Sequence, residues 1–258
     1  MGIEIKSEKE IAAMRQAGKI VAEILNILTR QVKPGMKTKE LDIIAERELK
    51  RRGAVSSFKG YRGYPATVCV SINDEIVHGI PGDRVMKEGD IVSLDFGAIY
   101  KGFHGDAAVT VPVGEVSPDA RRLIETTRDC LEKGIAAARA GAKLGDVSAA
   151  IQGYAESRGY SVVREYTGHG IGRQMHEDPQ IPNCTEPPSG LPPGTGPLLK
   201  KGMTLALEPM LNAGGWRTRV ADDRWTVLTA DGSLSAHFEH TIAIDNTEAE
   251  VLTGGGYD

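Results

Sequence analysis

KEGDIVSLD, residues 87–95, is written a second time as KKGMTLALE, residues 200–208. In both, a glycine leads into an apolar run, and a carboxylate, Asp95 or Glu208, follows that glycine by six residues. The echo extends outward. Gly35 to Gly53 spans 18 residues, as does Gly141 to Gly159. Between those glycines Leu41, Ile44, Ala45 and Leu49 match Val147, Ala150, Ile151 and Ala155, each set forming one apolar helical face. HGIP at 78–81 is echoed by HGIG at 169–172. Three matches in the same order point to a duplication, with convergent α/β patterning as the alternative. Two halves, roughly 1–115 and 116–250, would then pack about a pseudo-twofold axis as one α+β unit over residues 1–258. A shared site is expected between the matched carboxylate strands.

The flanking elements fit that plan. Ile11, Met14, Gly18, Val21, Leu25, Leu28 and Val32 make the apolar face of a first helix, stopped by Lys33-Pro34-Gly35. A second helix closes at Gly53. Strand-like runs follow at 66–72, 90–100 and 107–113. The plan then restarts with Ser117 as an N-cap and Pro118 as the first residue of a third helix running towards 138–141. A fourth helix, with Tyr154 on its apolar face, closes at Gly159. TGHGIGRQMHEDP, residues 167–179, is different: Gly168, Gly170 and Gly172 argue against a helix, although His169 and His176 are spaced by two helical turns.

Composition narrows the class. The 258 residues are 40% hydrophobic and carry a net charge of −4 without a basic stripe, which argues against DNA as a partner. No run approaches the ~20 apolar residues of a membrane span. The opening MGIEIKSEKE has no apolar signal-peptide core, and Lys6 stands where a myristoylation signal needs serine or threonine. Cys69, Cys130 and Cys184 are odd in number and far apart, as suits reduced thiols of a cytoplasmic protein.

The acidic residues carry the chemistry. Asp95 shares a strand face with Ile91 and Ser93, opposite Val92, Leu94 and Phe96, and a carboxylate facing inward costs several kcal/mol unless paired or metal-bound. Asp106 follows eleven residues later, so a hairpin would set it beside Asp95. Alone, it reads equally as a turn residue. Glu208 ends an apolar strand before Pro209, and Glu239 falls on the polar face with Ser235 and His237. Each glutamate taken singly fits a solvated face or a salt bridge. Together, four carboxylates and a glycine-flanked histidine suit a pair of hard or borderline divalent ions. Such a pair lowers the pKa of a water and polarises a carbonyl for hydrolysis.

At this point the chain resembles a type I methionine aminopeptidase of the pita-bread fold. YRGYPATVCVSINDEIVHGIP, VSLDFGAIYKGFHGDAAVTV, YTGHGIGRQMHEDP, LALEPM and SLSAHFEHTI match the family's motifs in order over nearly the whole chain. The resemblance implies a curved antiparallel sheet with helices on its outer face. It implies a dinuclear-metal hydrolase that removes N-terminal methionine from nascent chains when the second residue is small. Asp95 would bind one metal, His169 and Glu208 the other, with Asp106 and Glu239 bridging. The metals would be Co, Mn, Fe or Zn. Glu208 would also be the general base, while His78 and His176 would contact the scissile amide. A monovalent cation near Asn73 and Ser235 belongs to the same expectation, as do a monomeric state and action at the ribosome.

By the same resemblance Cys69, Tyr61, Tyr64, Met175 and Trp225 would line a methionine pocket, which suits a thioether; structural packing is the alternative for each. His104 and His240 flank ligands as supporting residues, and His237 reads as a polar-face residue. Three departures stand out. Met175 replaces a usual aromatic, Phe58 and Arg62 differ from the bacterial pattern, which could alter the rim, and the Pro/Gly-rich stretch near 184–198 is a longer surface loop. Met1 before Gly2 makes the chain's own start a candidate substrate, on a terminus expected to be flexible. The rivals are a prolidase or aminopeptidase P, which usually carries an extra N-terminal domain, and a binding protein that has lost its ligands.

Overall fold

In the computed structural model, residues 2–255 are described. Helix α1 (Glu8–Gln31) starts where Ser7 and Glu10 cap each other's backbone N–H groups. Helix α2 (Thr38–Arg52) ends at Gly53, whose φ of 65° is the left-handed C-terminal signal expected there. Ser117 caps α3 (Pro118–Ala137) with Pro118 in its first turn, and α4 (Leu144–Ser157) stops just short of Gly159.

The strands, in chain order, begin with β1 (Val55–Ser56), β2 (Cys69–Ile72), β3 (Glu75–Val77), β4 (Ile91–Tyr100) and β5 (Phe103–Pro112). The second half adds β6 (Ser161–Val162), β7 (Gly168–Gly170), β8 (Glu177–Ile181), β9 (Thr204–Leu207) and β10 (Met210–Asn212). It ends with β11 (Thr218–Val220), β12 (Val227–Thr229), β13 (Ser235–His237), β14 (Glu239–Ala243) and β15 (Glu250–Val251). Nine of them form one antiparallel sheet in the order β1-β4-β5-β14-β9-β7-β8, with β2 also on β4 and β15 on β14. Two three-stranded sheets, β13-β10-β6 and β11-β12-β3, complete the α+β architecture.

One apolar core joins all four helices to the large sheet. Leu25 and Leu28 of α1, Leu41 of α2, Leu123 of α3 and Ile151 of α4 share it with Leu94 and Phe96 of β4 and Leu207 of β9. Two backbone bonds recur at positions matched in the sequence echo. Gly35 N–H donates to Met86 O at 2.8 Å, and Gly141 N–H to Leu199 O at 3.0 Å. Lys37 bridges Val85 as Lys143 bridges Leu198.

Local differences from the sequence expectations have physical causes. The strand expected from 107 begins at Phe103, because Lys101 and Gly102, both at positive φ, make a two-residue hairpin turn. The run expected from 66 pairs only from Cys69, because the Thr67 and Val68 N–H groups donate to the Asp42 carboxylate at 2.7 and 3.3 Å. The Pro/Gly-rich loop is largely exposed but tethered. Gly194 N–H reaches Asp146 Oδ1 at 2.8 Å, and Leu144 N–H reaches Pro197 O at 3.0 Å, so the loop satisfies the start of α4. The N-terminus is less free than expected: Lys6 is buried and its N–H donates to Gly202 O at 2.7 Å. Met1 lies outside the described residues.

Candidate active site

Strand register gathers the acidic residues. Asp95 on β4 and Glu239 on β14 both stand opposite Ala108 on β5, in one row across three strands. Side chains alternate along a strand, so Asp106, two residues before Ala108, shares their face. His169 on β7 and Thr241 on β14 both stand opposite Ala206 on β9. That puts His169 on the same face, together with Glu208, two residues past Ala206. The hairpin sets Asp106 opposite Gly97, so the two aspartates are diagonal neighbours rather than directly opposite. The other face of these strands is the apolar core, which makes the site a polar floor on a rigid sheet.

The floor is acidic and largely buried. Asp106, Glu239 and His169 are buried, and one ligand atom from each lies within 4.8 Å of the others. Glu208 Oε1 lies 3.6 Å from His169 Nε2. Burial raises the pKa of Asp95, Asp106, Glu208 and Glu239 well above the usual carboxylate range, and Asp95 repels the other three further. No Lys or Arg among the described residues pairs with any of the four; their nearest basic partners are His169 and His237. Asp95 Oδ1, Asp106 Oδ1 and Glu239 Oε1 are buried without a hydrogen-bond partner. Orphaned carboxylate oxygens converging on an unprotonated imidazole are what a divalent cation needs, so these residues fit metal binding.

The histidines are set for neutral imidazole chemistry. Burial pushes His169 down to about 3, and its Nδ1 lies 2.9 Å from Gly170 O, a bond in which only the ring can donate. Nε2 therefore carries the free lone pair. A Cβ on Gly170 would lie 2.2 Å from Asp178 O, so the β7–β8 pairing requires glycine there. His176 tilts against His169 with ring centroids 4.2 Å apart, and its Nδ1 lies 2.9 Å from the Tyr61 hydroxyl. Burial lowers His176 and takes His78 down to about 4. His78 sits at φ 61°, edge-on to Tyr166 at 5.9 Å.

Beside the acids lies an apolar wall. Phe58, Tyr64, Ala66, Cys69 and Met175 form one buried cluster, with Tyr61, Ile80 and Trp225 packed against it. Cys69 stands opposite Asp95 in register, so thiol and carboxylate border the same cavity of about 160 Å³. Tyr64 donates to Gly79 O at 2.9 Å and meets Trp225 edge-on at 5.1 Å. Arg62, at φ 49°, lies over the Tyr61 ring at the mouth.

The profile of Metallopeptidase family M24 matches residues 12–246. Methionine aminopeptidase 1 of Bacillus subtilis (strain 168) is 52% identical over 248 residues, covering 96% of this chain and 98% of that protein. The chain belongs to the methionine aminopeptidases of family M24. The crystal structure of methionine aminopeptidase from Thermotoga maritima superposes with a TM-score of 0.94 at 49% identity, over 98% of this chain and 99% of that one. The Xaa-Pro dipeptidase of Bacillus anthracis shares the pita-bread fold at 25% identity and a TM-score of 0.78. This chain spans 98% of its own length in that match but only 63% of the dipeptidase.

The enzyme is thus a metalloaminopeptidase that uses divalent metal. Every site residue named from its sequence borders the one cavity: Asp95, Asp106, His169, Glu208, Glu239, His78, His176, Cys69, Tyr61, Tyr64, Met175 and Trp225. Phe58 lies in the pocket wall, 7% exposed, rather than at the rim. His237 is not an exposed polar-face residue. It is 1% exposed, with Nε2 4.0 Å from Glu239 Oε2. Alternation gave its face correctly, but that face is the buried floor. His104 and His240 are held by Ser57 and Thr253 hydroxyls at 2.9 Å. Ser235 N–H donates to Asn73 O at 2.8 Å, so those two residues do meet. Asp223 was not anticipated: its Oδ1 accepts the N–H groups of Trp225 and Thr226 at 2.8 Å and sets the Trp225 turn. The aspartate two residues ahead of a pocket tryptophan was the available signal.

Proposed function

We propose that this enzyme, one catalytic domain of two repeated halves over residues 1–258, removes N-terminal methionine from nascent chains with two divalent ions. The observation that carries the number is charge. Two buried and two half-buried carboxylates share one floor, with neutral histidines as their only basic neighbours among the described residues, and two divalent ions match four negative charges. Asp95 would hold one ion, His169 and Glu208 the other, and Asp106 and Glu239 both. Bound there, the ions would polarise the scissile carbonyl and make a water acidic enough to attack at neutral pH.

The chain's own groups supply the rest. The Glu208 carboxylate, with its proton affinity raised by burial, takes the proton of the attacking water and returns it to the leaving amine. His176, its Nδ1 bonded to Tyr61, would turn Nε2 towards the scissile amide, and His78, which borders the same cavity, would contact that amide as well. Desolvation lowers the pKa of both, which favours a role as hydrogen-bond partners rather than as charges. Tyr61, Tyr64, Cys69, Met175 and Trp225 take up the methionine side chain and exclude water from it. The acid floor with its ions would receive a free α-amine, so N-formyl or N-acetyl peptides are refused, and only small second residues fit.

A cytoplasmic setting is supported by three buried cysteines with no disulfide. The test is hydrolysis of Met-Gly-Met. Exhaustive chelation should abolish turnover, and Mn, Co or Fe should restore it with two ions bound per chain. Full activity after chelation overturns metal dependence, and saturation at one ion per chain overturns the dinuclear reading.

A further inference from the structure

Away from the acid floor, a buried ion pair ties the N-terminal strap to the histidine hairpin. Lys6 Nζ lies 2.5 Å from Glu177 Oε2, with the two side chains only 3% and 11% exposed. Glu177 directly follows His176, and its other oxygen accepts the Gln174 N–H at 3.1 Å. One carboxylate therefore pins the loop just before His176 and, through Lys6, fastens that loop to a segment 171 residues away in sequence. Gly172 makes room for the pair: a Cβ there would lie 2.4 Å from Lys6 Cε and 2.7 Å from Glu177 Oε1. The strap's Gly2 and Glu4 wall the same groove as His169 and His176.

A buried ammonium–carboxylate pair is a poor device for stability, since apolar side chains of like volume usually do as well. Its place asks for a positional reason. We propose that Lys6 is a positioning residue for His176. Through Glu177 it fixes the backbone on both sides of that histidine, so that the imidazole keeps its seat between His169 and Tyr61. This rests on the reading of His176 as a group that acts on the substrate. Lys6 itself touches no reacting atom.

The experiment is a double-mutant cycle on the metal-loaded enzyme. Lys6→Met should lower kcat on Met-Ala-Ser about 10- to 100-fold, the cost of a displaced catalytic group. KM should stay within about twofold, because substrate binding is untouched. Metal content should not change, and Lys6→Arg should recover most of the rate. In a His176→Ala background Lys6→Met should cost nothing further, which a merely structural role would not produce. Unchanged kcat in Lys6→Met, loss of metal, or the same fold-loss with and without His176 overturns the proposal. If Lys6→Met does not fold, Lys6→Met/Glu177→Gln carries no buried charge and takes its place in the cycle with the same expected result. If His176→Ala alone keeps full activity, the assignment of His176 fails; a rate loss in Lys6→Met would then have no route through it, and the proposal falls too.

Discussion

Glu208 is asked to bind metal and to move a proton with one carboxylate, and a single atom exchange separates those duties from its shape. Glu208→Gln should cost about 10² to 10⁴ in kcat, the usual worth of a general base, with some loss of metal affinity besides. His176→Ala should lower kcat by at least about 10-fold while leaving two ions bound, because its ring touches His169 without competing for the floor. Stopped-assay kinetics with metal analysis of both variants check this pair; metal stripped from His176→Ala would reassign that residue to the ligands. At this scale the sequence was informative wherever polarity broke a pattern. Asp95 in an apolar strand and His169 between glycines announce themselves. His237 did not, because alternation gives a side chain's face but not whether water reaches that face. Nor did Lys6, because a lysine in a polar terminal stretch looks like any solvated charge until a carboxylate 171 residues away closes over it.

Among the elements, the β7–β8 hairpin is sensitive to added volume. A methyl at Gly170 would meet the Asp178 carbonyl, which is backbone and cannot rotate aside. Gly170→Ala should therefore part the two strands, destabilise the fold by about 1–3 kcal/mol, as overpacking usually does, and weaken metal binding through the neighbouring His169. Urea unfolding and a metal titration measure both effects, and a wild-type midpoint with wild-type affinity would show that the strands yield more easily than the geometry implies. Helix ends were legible because their signals are local: Ser117, Pro118 and Gly53 act where they stand. Strand ends were less so. The start of β5 depended on a two-residue turn at Lys101 and Gly102, and the start of β2 on Asp42, which lies on another element. Partners distant in sequence leave no periodic trace.

For the molecule as a whole, the two-part reading rests on a glycine, a helix face and a carboxylate repeated at fixed offsets, and backbone bonds at Gly35 and Gly141 fall at those offsets. What the repeat could not show was the balance of charge that results when both carboxylate strands meet. Four acids on one buried floor repel each other, and burial alone already disfavours their charged forms. Any ion that binds this floor in the folded state and not in the unfolded chain must stabilise the fold by mass action. At a free concentration 100-fold above the dissociation constant that amounts to about 2.7 kcal/mol per ion. For a chain of this size each kcal/mol shifts Tm by about 2–4 °C, so chelation should lower Tm by about 5 °C or more. Asp106→Asn/Glu239→Gln removes two of the four charges and should reverse the pattern. In chelator its Tm should equal or exceed that of the wild type, because less repulsion is buried, and added Mn should raise it little. Differential scanning calorimetry of both proteins, with and without chelator, reads all four values. A wild-type Tm indifferent to chelation, or a double variant that still responds fully to Mn, would mean that the floor is not where the enzyme holds its metal.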